Sequence, residues 1–385
     1  MLIGVVGAPN KGKSTFFAAA TLVDAQIANY PFTTITPNRG MTYVRAPCPH
    51  AALGLATCNP KNSRCENGVR LVPVEMVDVP GLVPEAHAGK GLGNKFLDSI
   101  READALIQVV DATGRTDVLG NACDFSAPEA EVDFLREEIA LWLAGIMRRK
   151  EWKGRGISEV ASALSGLKIS ERMLSSAAHE FGLDIENGLP DDDGVARICR
   201  AIVKRSLPVV VACNKMDALG AERGFAGAKE NAGEMVFGCS AAVELALRKA
   251  NEHGIISYTP GAAGFDVIGA PDEKQAEALR QMSSFLAKHK GSGVQQVIDY
   301  VVYQKLGCIV VYPVEDEHKL SNHKGEVLPD AFLVPKGTTA VQLASMVHSE
   351  LAQKFIGAVD VKRHLRVGAD HVLQNGDVIR IVSGR

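Results

Sequence analysis

Two textures alternate along this chain. Short continuous apolar runs, Met1–Val6, Ala105–Val110 and Leu207–Ala212, have the length and composition of strands buried on both faces. Leu71–Val77 is a further strand, whose Pro73 suggests an edge or strand-start position. Shorter strands are expected near Gly40–Val44 and at Met235–Gly238, and Thr15–Leu22 opens a helix. Strands that alternate with helices predict a parallel sheet covered on both faces. From about residue 116 to 204 the alternation stops. Pro128 suits a first helical turn, with Ser126 nearby as a candidate cap, and Val132, Leu135, Ile139, Trp142 and Ile146 then recur at helical spacing. Ile157–Leu167, Ser170–Phe181 and the segment after Asp191-Asp192-Asp193-Gly194 predict further helices. This stretch reads as a helical insertion in the nucleotide domain, and core is the stronger reading of its Trp142 and Leu stripes, a docking surface the weaker. The chain is helical again after Ala241, including Glu273–His289, up to a break at Gly291-Ser292-Gly293. Strands at Ile309–Val314, Ala331–Val334 and Asp377–Val382, with a helix over Thr339–Ala352, predict a small α+β module from Cys308 onward.

Composition narrows the picture in three ways. With 385 residues, 46% of them hydrophobic, the chain has room for two or three domains with sizeable cores. A net charge of −3 does not imply a general nucleic-acid coat, although a local basic patch remains open. The opening apolar run leads straight into a glycine-rich loop and is not a signal peptide. No run approaches the ~18 apolar residues of a membrane span. A cytoplasmic protein with no membrane partner is therefore expected, its eight cysteines reduced. Cys48, His50, Cys58 and Cys65 lie in one Pro-, Asn- and Gly-rich stretch and offer four soft ligands to zinc. Their spacing is not C-x-x-C and no second pair follows, so plain loop thiols are the stronger of the two readings.

The chemistry begins at Gly7-Ala8-Pro9-Asn10-Lys11-Gly12-Lys13-Ser14, a full G-x-x-x-x-G-K-[ST] between a strand and a helix. The backbone N–H groups of such a loop, Asn10 to Thr15 included, wrap a phosphate chain. Lys13 would reach the β- and γ-phosphates, and Ser14 would give its hydroxyl to Mg²⁺. Asp78-Val79-Pro80-Gly81 ends a strand: the carboxylate suits the metal's water, and the Gly81 N–H suits a γ-phosphate. Asn214-Lys215-Met216-Asp217 follows another strand. An Asp217 carboxylate accepts both the N1–H and the amino group of guanine, a pair adenine does not offer, while Lys215 would lie across the base. In Ser240-Ala241-Ala242 the Ala241 N–H is a candidate donor to guanine O6. Four short motifs, each at a strand end, lie where parallel sheets bind ligands.

On these motifs the chain resembles a translation-factor-class GTPase of the Obg family. Asn29-Tyr30-Pro31-Phe32-Thr33-Thr34 is similar to that family's first switch, and Gly81–Leu97 to its glycine-rich second switch. Within the family it looks most like the YchF-related branch of archaea and eukaryotes. Lys336-Gly337-Thr338-Thr339, Val347-His348 and Asn375-Gly376-Asp377-Val378 resemble the TGS domain, a ubiquitin-like β-grasp.

The resemblance implies an α/β fold: a P-loop NTPase G domain, mostly parallel sheet with helices on both faces, carrying a helical insertion and a C-terminal TGS domain. The expected boundaries are 1–115 and 205–270 for the G domain, 116–204 for the insertion, 271–307 for a helical connector and 308–385 for the TGS domain. It further implies GTP and Mg²⁺ as cofactors, with Thr34 closing over the metal and Thr33 and Thr36 as its rivals. Universal YchF proteins carry Asn-x-x-Glu and prefer ATP; Asp217 here favours GTP, with an ATPase as the alternative. Leu82 stands where Ras-like enzymes orient water with Gln, so slow intrinsic hydrolysis is expected. Asn10 is then a candidate to help K⁺ offset developing charge, or else it only shapes the loop. TGS domains accompany ribosome-linked proteins, so a ribosome, tRNA or translation factor is the expected partner, through the TGS domain or the insertion. Lys362-Arg363-His364-Leu365-Arg366 is the one compact basic cluster in that domain, and a solvated loop is its commoner meaning. A nucleotide sensor or scaffold with negligible turnover is the competing class of function.

Overall fold

The computed structural model describes residues 1–22, 39–79, 100–149, 157–167, 169–185 and 188–384. Both expected switches, with Thr33, Thr34, Thr36, Gly81 and Leu82, lie outside the described residues. Two compact units divide the chain. One is built mainly from Glu75–Val297 with the N-terminal segment; the other joins Met41–Val74 to Ile298–Arg385.

Strand β1 (Leu2–Val6) leads through the glycine-rich loop into helix α1 (Lys13–Thr21). Next come β2 (Arg39–Pro47), the single turn α2 (Pro49–Ala52), β3 (Arg64–Glu66), β4 (Val69–Asp78) and β5 (Ala105–Asp111). Four helices then precede the next strand: α3 (Pro128–Arg149), α4 (Ile157–Leu164), α5 (Glu171–Glu180) and α6 (Asp192–Ser206). After them come β6 (Val209–Asn214), α7 (Ala221–Ala232), β7 (Val236–Gly238) and α8 (Ala241–Glu252). The strands order as β2-β4-β1-β5-β6-β7, with β3 added on β4. Strands β4, β1, β5, β6 and β7 run parallel. All seven residues of β5 and all six of β6 are buried, as double-sided cover requires.

The insertion helices do not stand apart. Leu135, Ile139, Leu143 and Met147 of α3 share one apolar cluster with Leu2 and Val6 of β1 and Ile198 and Ile202 of α6. The expected stripe is thus core, with Trp142 and Ile146 packed partly buried against it. Asp191 caps α6 by accepting the Gly194 N–H at 2.8 Å, so Asp192 and Asp193 fall inside the first turn.

A short hairpin, β8 (Ile256–Ser257) and β9 (Asp266–Val267), precedes α9 (Glu273–His289) and α10 (Val294–Tyr300). In the second unit β10 (Cys308–Val314), β11 (Phe332–Pro335), α11 (Ala340–Val347), α12 (Ser349–Gln353), β12 (Phe355–Asp360), β13 (Leu365–Val367) and β14 (Val378–Ser383) form a sheet ordered β11-β10-β14-β12-β13. Leu343 of α11 packs on Val311, Val334 and Ile379.

Four expectations change. Pro73 is internal to β4, not at a sheet edge. It falls between Val69–Leu71, which pair with β3, and Glu75–Asp78, which pair with β1. The third apolar run enters its strand at Val209, two residues late, because Pro208 precedes the ladder. The helix expected over Thr339–Ala352 is two helices, broken at His348 in an extended conformation (φ −161°) whose ring caps the second. The basic cluster is not simply a loop: its Leu365 and Arg366 begin β13, paired with β12.

Candidate nucleotide site

Gly7 and Gly12 are glycines for steric reasons. At Gly7 (φ 150°) a Cβ would stand 2.5 Å from the Val109 carbonyl, and at Gly12 (φ 86°) it would stand 2.3 Å from Asn214 Nδ2. Between them Asn10 adopts a left-handed conformation (φ 61°). Its amide donates to the Gly120 carbonyl at 2.9 Å, and its own carbonyl accepts from Lys215 Nζ at 2.9 Å. Lys11 is not a surface residue of this loop. Its ammonium is fully buried, pairs with Glu131 of α3 and donates to the Thr116 carbonyl at 2.8 Å. Only the Lys11 backbone is left to face a phosphate.

Lys13 and Ser14, from the first turn of α1, meet Asp78 at the end of β4. Lys13 Nζ donates to the Val79 carbonyl at 2.5 Å and lies 3.5 Å from the Asp78 carboxylate, while Ser14 Oγ donates to its other oxygen at 3.3 Å. Asp78 Oδ1 is screened from solvent and accepts no hydrogen bond from the described residues, with the Lys13 ammonium 3.5 Å away. A hydroxyl and a carboxylate beside a helix N-terminus form an oxygen donor set suited to Mg²⁺.

The candidate base-reading residues are tied to the loop. Asn214 Nδ2 donates to the Lys11 carbonyl at 3.1 Å, and Asn214 Oδ1 accepts the Ala241 N–H at 2.9 Å. That bond changes one expectation: the N–H assigned to guanine O6 is already engaged by Asn214, so it reaches a base only as a shared donor. Ser240 Oγ donates to Asp217 at 2.6 Å and accepts the Val243 N–H at 3.2 Å, capping α8. Ala242 lies in that same first turn. Lys215, itself left-handed (φ 68°), holds Asp111 at 2.8 Å.

Sequence reasoning missed Asp111, Glu131 and Ser292. Burial raises the Asp111 carboxyl, but the hydrogen bonds from Lys215 and Thr113 outweigh it and hold the group below its ordinary value. For Glu131, burial is the larger influence and pushes the carboxyl up to about 7 against the pull of Lys11. The Ser292 carbonyl accepts the Ser240 N–H at 2.8 Å, and Ser292 Oγ donates to buried Glu244 at 2.5 Å. Glu244 also accepts from Arg248 at 2.7 Å and Tyr258 at 2.8 Å, and Arg248 in turn donates to Ala20 of α1 at 3.1 Å. The Gly-Ser-Gly break is therefore a support for the base-reading turn, and its only sequence signal is the pair of glycines. A Cβ at Gly293 would stand 2.1 Å from the Gly238 carbonyl.

A phosphate loop, an acid facing it from the next parallel strand and an Asn-Lys-x-Asp turn bonded back to the loop define a P-loop nucleotide-binding protein of the guanine-reading kind. Residues 2–141 match the family model described as 50S ribosome-binding GTPase, and 212–316 the Obg-like GTPase YGR210-like, G4 motif-containing domain. Residues 324–383 match the TGS domain. The chain is 44% identical over 393 residues to a GTP-binding protein of Methanocaldococcus jannaschii, covering 99% of each chain. It is 34% identical to one of Schizosaccharomyces pombe, covering 93% of this chain and 92% of the other. The structure is similar to that of a GTP-binding protein of Pyrococcus horikoshii over 100% of both chains (TM-score 0.77, 35% identity). The chain belongs to the Obg-family GTPases, in the YchF-related branch with a C-terminal TGS domain. Proteins named ribosome-binding ATPase YchF align over about a third of it; that of Pasteurella multocida is 41% identical over 36% of each chain. Among the described residues no helix is long and apolar enough to cross a membrane.

Proposed function

We propose that this chain is a Mg²⁺-dependent GTPase, acting as a nucleotide-controlled switch in a ribosome-linked, cytoplasmic process. The observation that carries the reading is the Asn214 bridge, which joins the Lys11 carbonyl of the phosphate loop to Ala241 of the base-reading turn. Asp217, steadied by Ser240, would accept the two guanine N–H groups. Lys13 would exchange its contact with Asp78 for the phosphates. Ser14 and Asp78 would hold the metal, with Thr34 as the third ligand in the triphosphate state. When bound, Mg²⁺ neutralises phosphate charge. Asn10, held in place through Gly120, stands beside the loop as the candidate helper of a monovalent cation.

The ribosome-linked role rests on the names of the matched family model and of the YchF proteins. The TGS domain and the insertion are the candidate docking parts. Those YchF proteins are named ATPases, and Asp217 argues for guanine in this chain. Calorimetry of GTP, GDP and ATP with Mg²⁺ tests the base, with GTP expected to bind at least tenfold tighter than ATP. Single-turnover hydrolysis with and without ribosomes, in KCl and in NaCl, tests the switch. No hydrolysis under any of these conditions would leave a sensor or scaffold as the better reading.

A further inference from the structure

Cys48, His50, Cys58 and Cys65 come from separate pieces of backbone. Cys48 follows β2 and precedes α2, His50 lies in that turn, Cys58 is in the following irregular segment, and Cys65 is in β3. The structure brings their four ligand atoms within 4.8 Å of one another. Cys48 Sγ and Cys58 Sγ are 3.8 Å apart, and Cys65 Sγ and His50 Nδ1 are 3.7 Å apart. Two sulfurs each ~2.3 Å from a tetrahedral zinc are ~3.8 Å apart, and a sulfur and an imidazole nitrogen ~3.6 Å. A disulfide would need ~2.05 Å. Both distances match edges of an S₃N tetrahedron, and the other four are within the 4.8 Å that the cluster spans. We propose that Cys48, His50, Cys58 and Cys65 bind one Zn²⁺ in a closed, structural Cys₃His site.

Three further observations fit an ion here. The first is charge. Arg70 is wholly buried, and its guanidinium donates to Ser63 Oγ at 2.9 Å, the Leu328 carbonyl at 3.0 Å and Cys48 Sγ at 3.4 Å. None of these partners is a carboxylate. Arg70 also lies over the Tyr312 ring and is felt by the Asp330 carboxyl, but no carboxylate among the described residues hydrogen-bonds it, and a buried cation so placed is costly. Three thiolates and a neutral imidazole around Zn²⁺ carry one net negative charge, which Arg70 would neutralise from the second shell. The second is the sparse apolar packing. Residues 53–62 have no helix or strand and no fully buried side chain, so little apolar packing fixes Cys58. The third is placement of the backbone. Asn67 and Gly68 (φ 48° and 80°) turn the β3–β4 hairpin so that the Gly68 carbonyl accepts the Cys48 N–H at 2.8 Å. Asn59, Lys61 and Asn62 bond along residues 327–331, with the Asn59 N–H on the Val327 carbonyl at 2.8 Å and the Lys61 N–H on Pro329 at 2.7 Å. The ligands are thus held on a backbone docked to the C-terminal half of the same unit. Soft thiolates select zinc over Mg²⁺, and four protein ligands leave no open position for catalysis.

The test uses the full chain, made without a polyhistidine tag and desalted. Elemental analysis should find one equivalent of zinc per chain, released when a mercurial titrates the thiols. Cobalt exchanged into the unmodified protein should give the intense ligand-field bands of a tetrahedral thiolate site. Cys58→Ala and Cys65→Ala should each lose the metal and lower the melting temperature, while Cys123→Ser keeps both. Guanine nucleotide binding, followed on the same samples, should persist in Cys58→Ala, so a failure of the zinc site stays distinct from a failure of the GTPase reading. Unmodified protein without zinc and without a tetrahedral cobalt spectrum would overturn the proposal, as would a Cys48–Cys58 disulfide in the isolated protein.

Discussion

Lys11 and Glu131 form an ion pair with side chains 0% and 6% exposed, although 120 residues separate them. The pair clamps the phosphate loop to the first helix after β5. Removing one partner strands a buried charge, which costs about 3–5 kcal/mol. Glu131→Ala should therefore lower stability by that order in urea unfolding and loosen nucleotide binding. The double change Lys11→Met with Glu131→Gln should cost clearly less than either single change, since no charge is left alone. Equal stability of Glu131→Ala and the unmodified chain would show that the clamp does not matter.

The proposed base-reading contact separates two residues by magnitude. Asp217→Ala should abolish measurable GTP binding, and Asp217→Asn should move preference toward xanthine nucleotides, which present an oxygen where guanine presents an amino group. Ser240→Ala removes one hydrogen bond to Asp217, about 1 kcal/mol, so GTP binding should weaken about fivefold, and it removes the α8 cap, so stability should fall by about 1 kcal/mol. Calorimetry that finds ATP and GTP equal in the unmodified chain would contradict the assignment.

For the rate, Leu82→Ala should leave basal hydrolysis nearly unchanged, because an apolar side chain orients no water. Asn10→Ala should remove any acceleration by K⁺. It should also loosen the Gly120 segment, since the Asn10 amide holds that carbonyl at 2.9 Å. Comparison of KCl with NaCl for both variants checks this, and a large loss in Leu82→Ala would point to help from elsewhere.

Acid should act through Asp111. Its folded-state pKa lies below the ordinary 3.8, because the Lys215 and Thr113 bonds outweigh burial. A carboxyl lowered on folding contributes stability that is present above its unfolded value and lost as pH falls through the folded one. Asp111→Asn should reduce stability near neutral pH and flatten the acid limb of a stability profile below about pH 4. It should also free Lys215, which bonds both Asp111 and the Asn10 carbonyl. An unchanged acid limb would rule the carboxylate out as its source.

Much of the site was legible along the chain. Gly7–Ser14, Asp78 and Asn214–Asp217 announce themselves at the ends of apolar runs, because strand burial and the backbone demands of a phosphate loop are set by residues a few positions apart. The helical insertion and most elements of the TGS domain followed from the same periodicities. The strands β12 and β13 did not: Gly357 interrupts the first, and the second has three residues in a basic turn. His348 likewise splits a helix that periodicity alone continues.

Tertiary structure decided which side chains meet. Nothing near Lys11 in sequence says that its ammonium is buried on Glu131, and nothing near Ala241 says that its N–H belongs to Asn214. The four ligands of the Cys48–Cys65 stretch have an uninformative spacing, and only the hairpin at Asn67-Gly68 and the docking of residues 59–62 onto 327–331 bring them together. The physical reason is common to all three cases. Local sequence governs dihedral angles and which face is apolar, whereas a contact across tens or hundreds of residues depends on strand register and packing, which exist only once the chain has folded.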